Sequence, residues 1–407
     1  MEHASPEAVQ ARASFRFFLL CRVVASLSYQ MAGVSIGWLV YARTGSAYLL
    51  GMIGLAGFLP MVVLTFVVGP VADRFDRRRI VAICEVVNAI VLAIVALGAD
   101  SEWLSIPAIF AAVVLLGASR AFEHPTMAAL LPGIVPASDL PRSVAYSSSA
   151  MQTANIVGPS LGGLLYALGA PVPLGLAAVF SGLACATILA VVLRARIPSK
   201  EPVTLASIFS GVSFIFRRPV ILGAISLDLF AVLLGGVTAL LPIFAQDILQ
   251  VGALGLGLLR SAPAVGAVAM SLLVSRNIGG AVGMKMFWSV IVFGLAIVVF
   301  SLSTSFVVSL VALAVTGAVD NISVVVRQSL VQLGTPDDMR GRVNAVNSLF
   351  IGTSNQLGEF ESGMVAGLFG AVPAGLIGGI GTILVALLWM KLFPELRRAD
   401  RLEAQEA

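Results

Sequence analysis

Two apolar runs, Leu49–Val68 and Ile80–Leu97, stand on either side of the stretch Gly69-Pro70-Val71-Ala72-Asp73-Arg74-Phe75-Asp76-Arg77-Arg78-Arg79. Each run has the ~20 residues that a helix needs to cross the ~30 Å hydrocarbon core of a bilayer. Between them four arginines fall within six positions. A dense basic turn joining two apolar helices is what the cytoplasmic side of a membrane protein carries. In hydrocarbon every backbone N–H and C=O must be satisfied inside the segment, which restricts such runs to helices. Composition agrees, because 11% of the residues are charged and 58% are hydrophobic, against ~25% charged in soluble domains. The net charge of +4 is read as loop bias towards one face of a membrane, and no nucleic-acid partner is predicted.

Runs of this kind recur along the chain. Twelve spans are predicted, at 15–41, 48–69, 79–99, 104–132, 142–168, 172–193, 219–243, 251–274, 284–303, 306–332, 343–370 and 374–393. Sorted onto these spans, the basic residues gather on the side of the N-terminus, with Arg43 the exception opposite. Both termini are therefore predicted to be cytoplasmic, in a multi-pass protein of the plasma (inner) membrane. The opening residues, Met1-Glu2-His3-Ala4-Ser5-Pro6, are polar and acidic, unlike a cleavable signal. The stretch 194–218, with Pro198, Pro202 and a closing Arg217-Arg218 pair, reads as a cytoplasmic linker with room for a short surface helix.

A displacement of 200 positions aligns Leu130 with Leu330, Pro136 with Pro336, Arg142 with Arg342, Asn155 with Asn355, Gly158 with Gly358 and Gly163 with Gly363, among nine identities in 34 ungapped positions. Duplication is the simplest reading. The predicted fold is an all-α polytopic membrane protein with two pseudo-symmetric six-helix halves, residues 1–193 and 219–407, and a site where they meet.

Several chemistries are excluded. There is no Gly-x4-Gly-Lys-Ser/Thr loop to cradle a nucleotide. Gly33–Gly37 and Gly158–Gly162 match Gly-x-Ser-x-Gly, but both lie within apolar helical runs and not on a strand-to-helix elbow. Cys21, Cys84 and Cys185 are far apart and show neither metal spacing nor a disulfide framework. No catalytic residue, cofactor or metal ligand is predicted, so the chain is not read as an enzyme.

The basic turn resembles the signature between the second and third helices of the major facilitator superfamily, through Gly69, Asp73, Arg74, Arg78 and Arg79, with Arg77 a further cation and Asp76 where the family has a second glycine. In the fifth span Gly158-Pro159-Ser160-Leu161-Gly162-Gly163 resembles the Gly-Pro-x-x-Gly-Gly signature of the family's exporters and antiporters. Gly37-Trp38-Leu39-Val40-Tyr41, Arg340-Gly341-Arg342-Val343 and Gly358-Glu359-Phe360-Glu361-Ser362-Gly363 resemble the enterobactin-exporter-like branch. The resemblance implies a secondary exporter of a siderophore, drug or metabolite, proton-coupled and working by alternating access, with a facilitative or import carrier as the other reading. It implies a cytoplasmic gate from Gly69, Asp73, Arg74, Arg77 and Arg78, partnered by Glu123. The expected partners are a small-molecule substrate, protons and the lipid bilayer, and the expected state is a monomer.

Ionisable residues inside spans are functional candidates by default. Arg22, Ser26, Gln30, Gly33 and Gly37 recur along one face of the first span, and Arg120, Glu123 and His124 sit at i, i+3 and i+4 in the fourth. Arg22, Gln30, Arg120, Arg260, Arg327 and Asn355 are taken as substrate-cavity residues. Asp228, Asp320 and Glu359 are taken as proton carriers, since a carboxylate midway through a span protonates readily unless paired. Within the fourth span Arg120 and Glu123 are also spaced to pair with each other. Glu85 is read as the structural partner of a cytoplasmic arginine.

Overall fold

A computed structural model describes residues 6–101, 103–136, 139–193, 205–274 and 280–399. Among these residues every regular element is helical. The long helices are α1 (Pro6–Thr44), α2 (Ala47–Arg74), α3 (Arg77–Gly98), α4 (Ile106–Leu130), α5 (Leu140–Tyr166) and α6 (Pro171–Leu189). They are followed by α7 (Leu205–Arg217), α8 (Pro219–Leu234), α9 (Gly252–Val274), α10 (Val282–Leu302), α11 (Phe306–Leu333), α12 (Asp337–Phe369) and α13 (Ala371–Leu392). Among the described residues ten helical segments are long and apolar enough to cross a membrane.

The basic stretch is shorter as a turn than its sequence suggests. Helix α2 runs on to Arg74 and α3 begins at Arg77, which leaves Phe75 and Asp76 between them. Asp76 takes extended backbone angles and its Oδ1 accepts the Arg78 N–H at 2.9 Å, the geometry of an N-cap. Asp76 also pairs with the Arg78 guanidinium at 2.9 Å, and that hydrogen bond holds its carboxyl below the usual carboxylate range. An aspartate thus serves here in the place of the family's glycine, because a capping carboxylate starts α3 directly.

The predicted span 219–243 is also interrupted. Helix α8 ends at Leu234, and the chain continues as a 3₁₀ turn, Val237–Leu240, and a π turn, Phe244–Ile248. At the break a Cβ on Gly235 would stand 2.7 Å from the Ala231 carbonyl oxygen, and one on Gly236 would stand 2.8 Å from Ser362 Oγ. Helix α12 starts at Asp337, six residues before the predicted 343. Residues 194–204 lie outside the described residues, and α7 occupies the remainder of the expected linker.

Backbone contacts divide the chain into two compact units, one of Met1–Arg43, Ala56–Pro202 and Ala253–Gly257, the other of Thr44–Leu55, Val203–Gly252 and Leu258–Ala407. In the first, α3 lies against α4 and α6. Phe18, Cys21 and Val24 of α1 meet Val81 of α3, Met127 and Leu130 of α4 and Ile188 of α6 in one core. In the second, α10 lies against α11 and α13, around Leu227, Met286, Phe287, Val326 and Ala386. Helix α7 docks through Ile215 on a smaller cluster with Ile221, Val331 and Val343.

The outer faces are apolar. Ile83, Ile90 and Leu97 recur every seven residues along α3 and are 64%, 55% and 77% exposed. Water would penalise such a stripe at ~25 cal/mol per Å², whereas lipid tails cover it without cost. On the opposite end of the first unit, the lone Arg43 donates to the carbonyls of Gly98, Ala99, Ser101 and Leu104 at 2.6–3.1 Å, closing the C-terminus of α3.

Candidate functional site

The polar face of α1 meets α5. Arg22 Nη1 donates to Ser147 Oγ at 2.7 Å, while Ser26 Oγ and Gln30 Nε2 both donate to Asn155 Oδ1 at 2.9 and 3.1 Å. The glycines of α5 make this approach possible. A Cβ on Gly158 would fall 2.6 Å from Gln30 Cβ, and one on Gly162 would fall 3.0 Å from the backbone of Met31. Pro159 cannot donate to the carbonyl of Asn155, one turn earlier. Gly163 packs on the backbone of Gly257.

Arg120 lies beside this face, with its guanidinium 4.6 Å from the centre of the Tyr29 ring. Its Nη1 is 3.1 Å from Glu123 Oε1. Glu123 is 4% exposed and His124 is exposed, so the two differ in environment although the sequence places them on one face. Arg22 and Arg120 are close enough for their charges to interact. Two guanidiniums over one paired carboxylate leave a surplus positive charge in this interior, suited to a carboxylate, phenolate or phosphate group.

Arg77 and Arg78, expected from sequence in a gate, bond within their own unit in this conformation. Arg77 Nη1 donates to the Ala129 carbonyl at 3.0 Å and Arg78 Nη1 to the Val191 carbonyl at 2.9 Å. Ala129 lies in the last turn of α4 and Val191 two residues beyond the end of α6, positions near helix C-termini where a cation is favourable. The carboxylate paired with Arg78 is its neighbour Asp76, not an acid on a facing helix. Arg74 is exposed. The side chains at Gly69 and Asp73 lie outside the described residues.

The second unit holds a partly open cavity of about 190 Å³ where α8 breaks. Gly235, Gly236 and Thr238 line it with Asp320 of α11 and with Asn355 and Glu359 of α12. Three residues selected from sequence thus share one wall. Arg260 and Glu359 interact through their charges. A Cβ on Gly54 would stand 3.3 Å from Glu359 Oε2, so a larger residue there would press on that carboxylate.

Asp228 is taken out of this group by a partner. Arg327 donates from Nη1 to Asp228 Oδ2, and both side chains are buried. Arg327 is therefore a counter-ion of Asp228 in this conformation and does not line the cavity with Asp320. The assignment of Glu85 to a cytoplasmic arginine is corrected as well. Glu85 is 1% exposed, and neither carboxyl oxygen has a hydrogen-bond partner among the described residues. The cation near it is Arg120, because Arg77 and Arg78 spend donors on helix-end carbonyls. Sequence reasoning also passed over Ser147 and Tyr29, which meet Arg22 and Arg120 from helices distant in the chain and carry no local signal of it.

The match to known proteins follows this architecture. The model of the transmembrane secretion effector family covers residues 4–406. The enterobactin exporter EntS of Citrobacter koseri is 26% identical over 387 residues, covering 95% of this chain and 93% of that protein. EntS of Escherichia coli O1:K1 is 25% identical over 388 residues, with the same coverage. Among solved structures, a bacterial homologue of the lysosomal transporter Spinster superposes with a TM-score of 0.75 at 13% identity over 97% of this chain and 98% of that one. The D-xylose-proton symporter gives a TM-score of 0.66 at 15% identity over 95% and 98%. These relatives are transporters and not enzymes, and the chain belongs to the transmembrane secretion effector family of the major facilitator superfamily.

Proposed function

We propose that the protein exports a small organic anion of the siderophore class across the inner membrane in exchange for protons. The observation that carries this reading is the arginine-bearing polar interior of the first unit, where Arg22 bonds Ser147, Gln30 bonds Asn155, and Arg120, close enough to interact with Arg22, pairs with Glu123. A guanidinium offers a fork of donors that matches an oxyanion. The enterobactin exporters at 25–26% identity support the same cargo chemistry.

In this proposal the chain crosses the membrane twelve times with both termini in the cytoplasm, and residues 1–193 and 219–407 act as the two moving halves of a monomer. Arg22, Gln30, Arg120, Arg260, Arg327 and Asn355 face the cargo during the cycle. Gly69, Asp73, Arg74, Arg77, Arg78 and Glu123 form the cytoplasmic gate, and Gly158, Pro159, Gly162 and Gly163 set the packing of α5. Asp320 and Glu359, with Asp228 when Arg327 releases it, take up and return protons.

Uptake of enterobactin into inverted membrane vesicles tests this function. Accumulation that requires the chain and falls when the pH gradient is collapsed is expected. Uptake indifferent to the gradient would return the chain to the facilitative reading, and no uptake of any siderophore would end the proposed cargo class.

A further inference from the structure

Glu85 stands out among the buried acids because neither of its carboxyl oxygens has a hydrogen-bond partner among the described residues, whereas Glu123 and Asp228 are each paired with an arginine. Groups face it from each helix packed around it: Glu123 and Arg120 on α4, Ser181 and Cys185 on α6, Cys21 on α1, and Cys84 and Asn88 on its own helix. The Ser181 hydroxyl is shared with Ser28 at 2.9 Å, and thiols are weak donors. Neither Ser181 nor Asn88 reaches hydrogen-bond geometry with the carboxyl oxygens.

Arg120 is already engaged, by Glu123 at 3.1 Å and by the face of Tyr29. Two carboxyl groups therefore share one guanidinium. An unpaired carboxylate in such a place neutralises by taking a proton rather than staying charged, and like charges at one site favour a single shared proton. A permanently neutral acid with no hydrogen bond adds nothing to stability that an apolar side chain would not, so a lasting structural role explains the residue poorly. Glu85 also lies seven residues, or about 10 Å along the helix axis, from Arg78 at the basic turn.

We propose that Glu85 is a proton-carrying residue of the transport cycle, separate from the acids of the second unit. Its carboxyl holds the proton in the conformation described here. When water reaches it, the proton leaves to that water and the resulting carboxylate is held by N–H groups of Arg120 not engaged by Glu123. The cluster of Glu85, Glu123 and Arg120 passes from neutral to one negative charge, and reprotonation from the other side resets it. This inference rests on the proton-exchange reading above.

The test uses the full-length protein in proteoliposomes, with enterobactin as the probe and both gradient-driven accumulation and downhill exchange as readouts. One proton exchanged per cargo across about one pH unit supports about tenfold accumulation. Glu85→Gln keeps the shape and lacks the titratable group. It is expected to keep downhill exchange and to lose accumulation. Undiminished accumulation in Glu85→Gln, with a gradient-dependent parent, would overturn the role of Glu85 alone. A parent indifferent to the gradient would overturn the exchange reading and this inference with it. If Glu85→Gln does not fold, Glu85→Asp decides: a displaced pH profile of accumulation supports the proposal, and an unmoved profile overturns it.

Discussion

Arg327 on α11 donates a hydrogen bond to the Asp228 carboxylate on α8, 99 residues earlier in the chain, and both side chains are almost fully buried. Removing one partner of a buried pair leaves the other charge without compensation, at a cost of about 3–5 kcal/mol. Asp228→Asn is expected to lower the thermal unfolding midpoint in detergent strongly. Asp228→Leu combined with Arg327→Met is expected to recover most of that loss, since two apolar groups leave no orphaned charge. Unfolding followed by intrinsic fluorescence on the single and double variants checks this.

Asp76 gives a pH-dependent contribution with a definite sign. Its folded carboxyl titrates below the ordinary range because Arg78 holds it ionised. The stabilisation is therefore complete above the unfolded value and disappears as pH falls through the folded one. Asp76→Ala is expected to cost about 1 kcal/mol at neutral pH. Parent and variant unfolding midpoints should converge under acid. A gap that persists unchanged at low pH would count against the capping role.

The α5 glycines make close approach possible, and one of the contacts has a counterpart 200 positions later. Gly163 packs on the backbone of Gly257, and Gly363, 200 positions after it, packs on the backbone of Gly51. Gly163→Val and Gly363→Val are each expected to destabilise by about 1–3 kcal/mol, because the added atoms would meet backbone and not a movable side chain. Gly33→Ala, where a Cβ meets nothing within 4 Å, is the control and should leave the unfolding midpoint close to that of the parent.

Arg22 and Arg120 should separate binding from driving force. Arg22→Gln is expected to raise the KM for an anionic siderophore about tenfold, the ~1.4 kcal/mol of one weakened charge-assisted hydrogen bond, with little effect on a neutral analogue. Arg120→Gln is expected to weaken anion binding too, and in addition to perturb gradient dependence, because it frees Glu123. Equal effects on anionic and neutral cargo would remove the anion-recognition role.

Much of the helix pattern was legible in the sequence, since an uncharged run of about 20 residues has few alternatives to a helix. The face of α1 was legible too: Arg22, Ser26 and Gln30 recur at helical spacing, and all three turn to α5. The partners were not. Which carboxylate an arginine takes depends on helices far apart in sequence, so the pairing of Arg327 with Asp228, 99 residues earlier, could not be read from spacing along one helix. Glu85 was misassigned for the same reason, because the carbonyl ends of α4 and α6 compete for the basic turn. The break at Gly235 and Gly236 was missed because the surrounding run stays apolar and hydropathy carries no backbone angle.

Cargo-driven proton movement is the most direct measurement of the exchange mechanism. Proteoliposomes holding the purified chain and a pH-sensitive dye are given an outward enterobactin gradient with no imposed pH difference. Cargo leaving the lumen should bring protons in, so the lumen acidifies, and the signal should vanish without cargo. Enterobactin leaving at the same rate with no change of lumenal pH would contradict proton exchange.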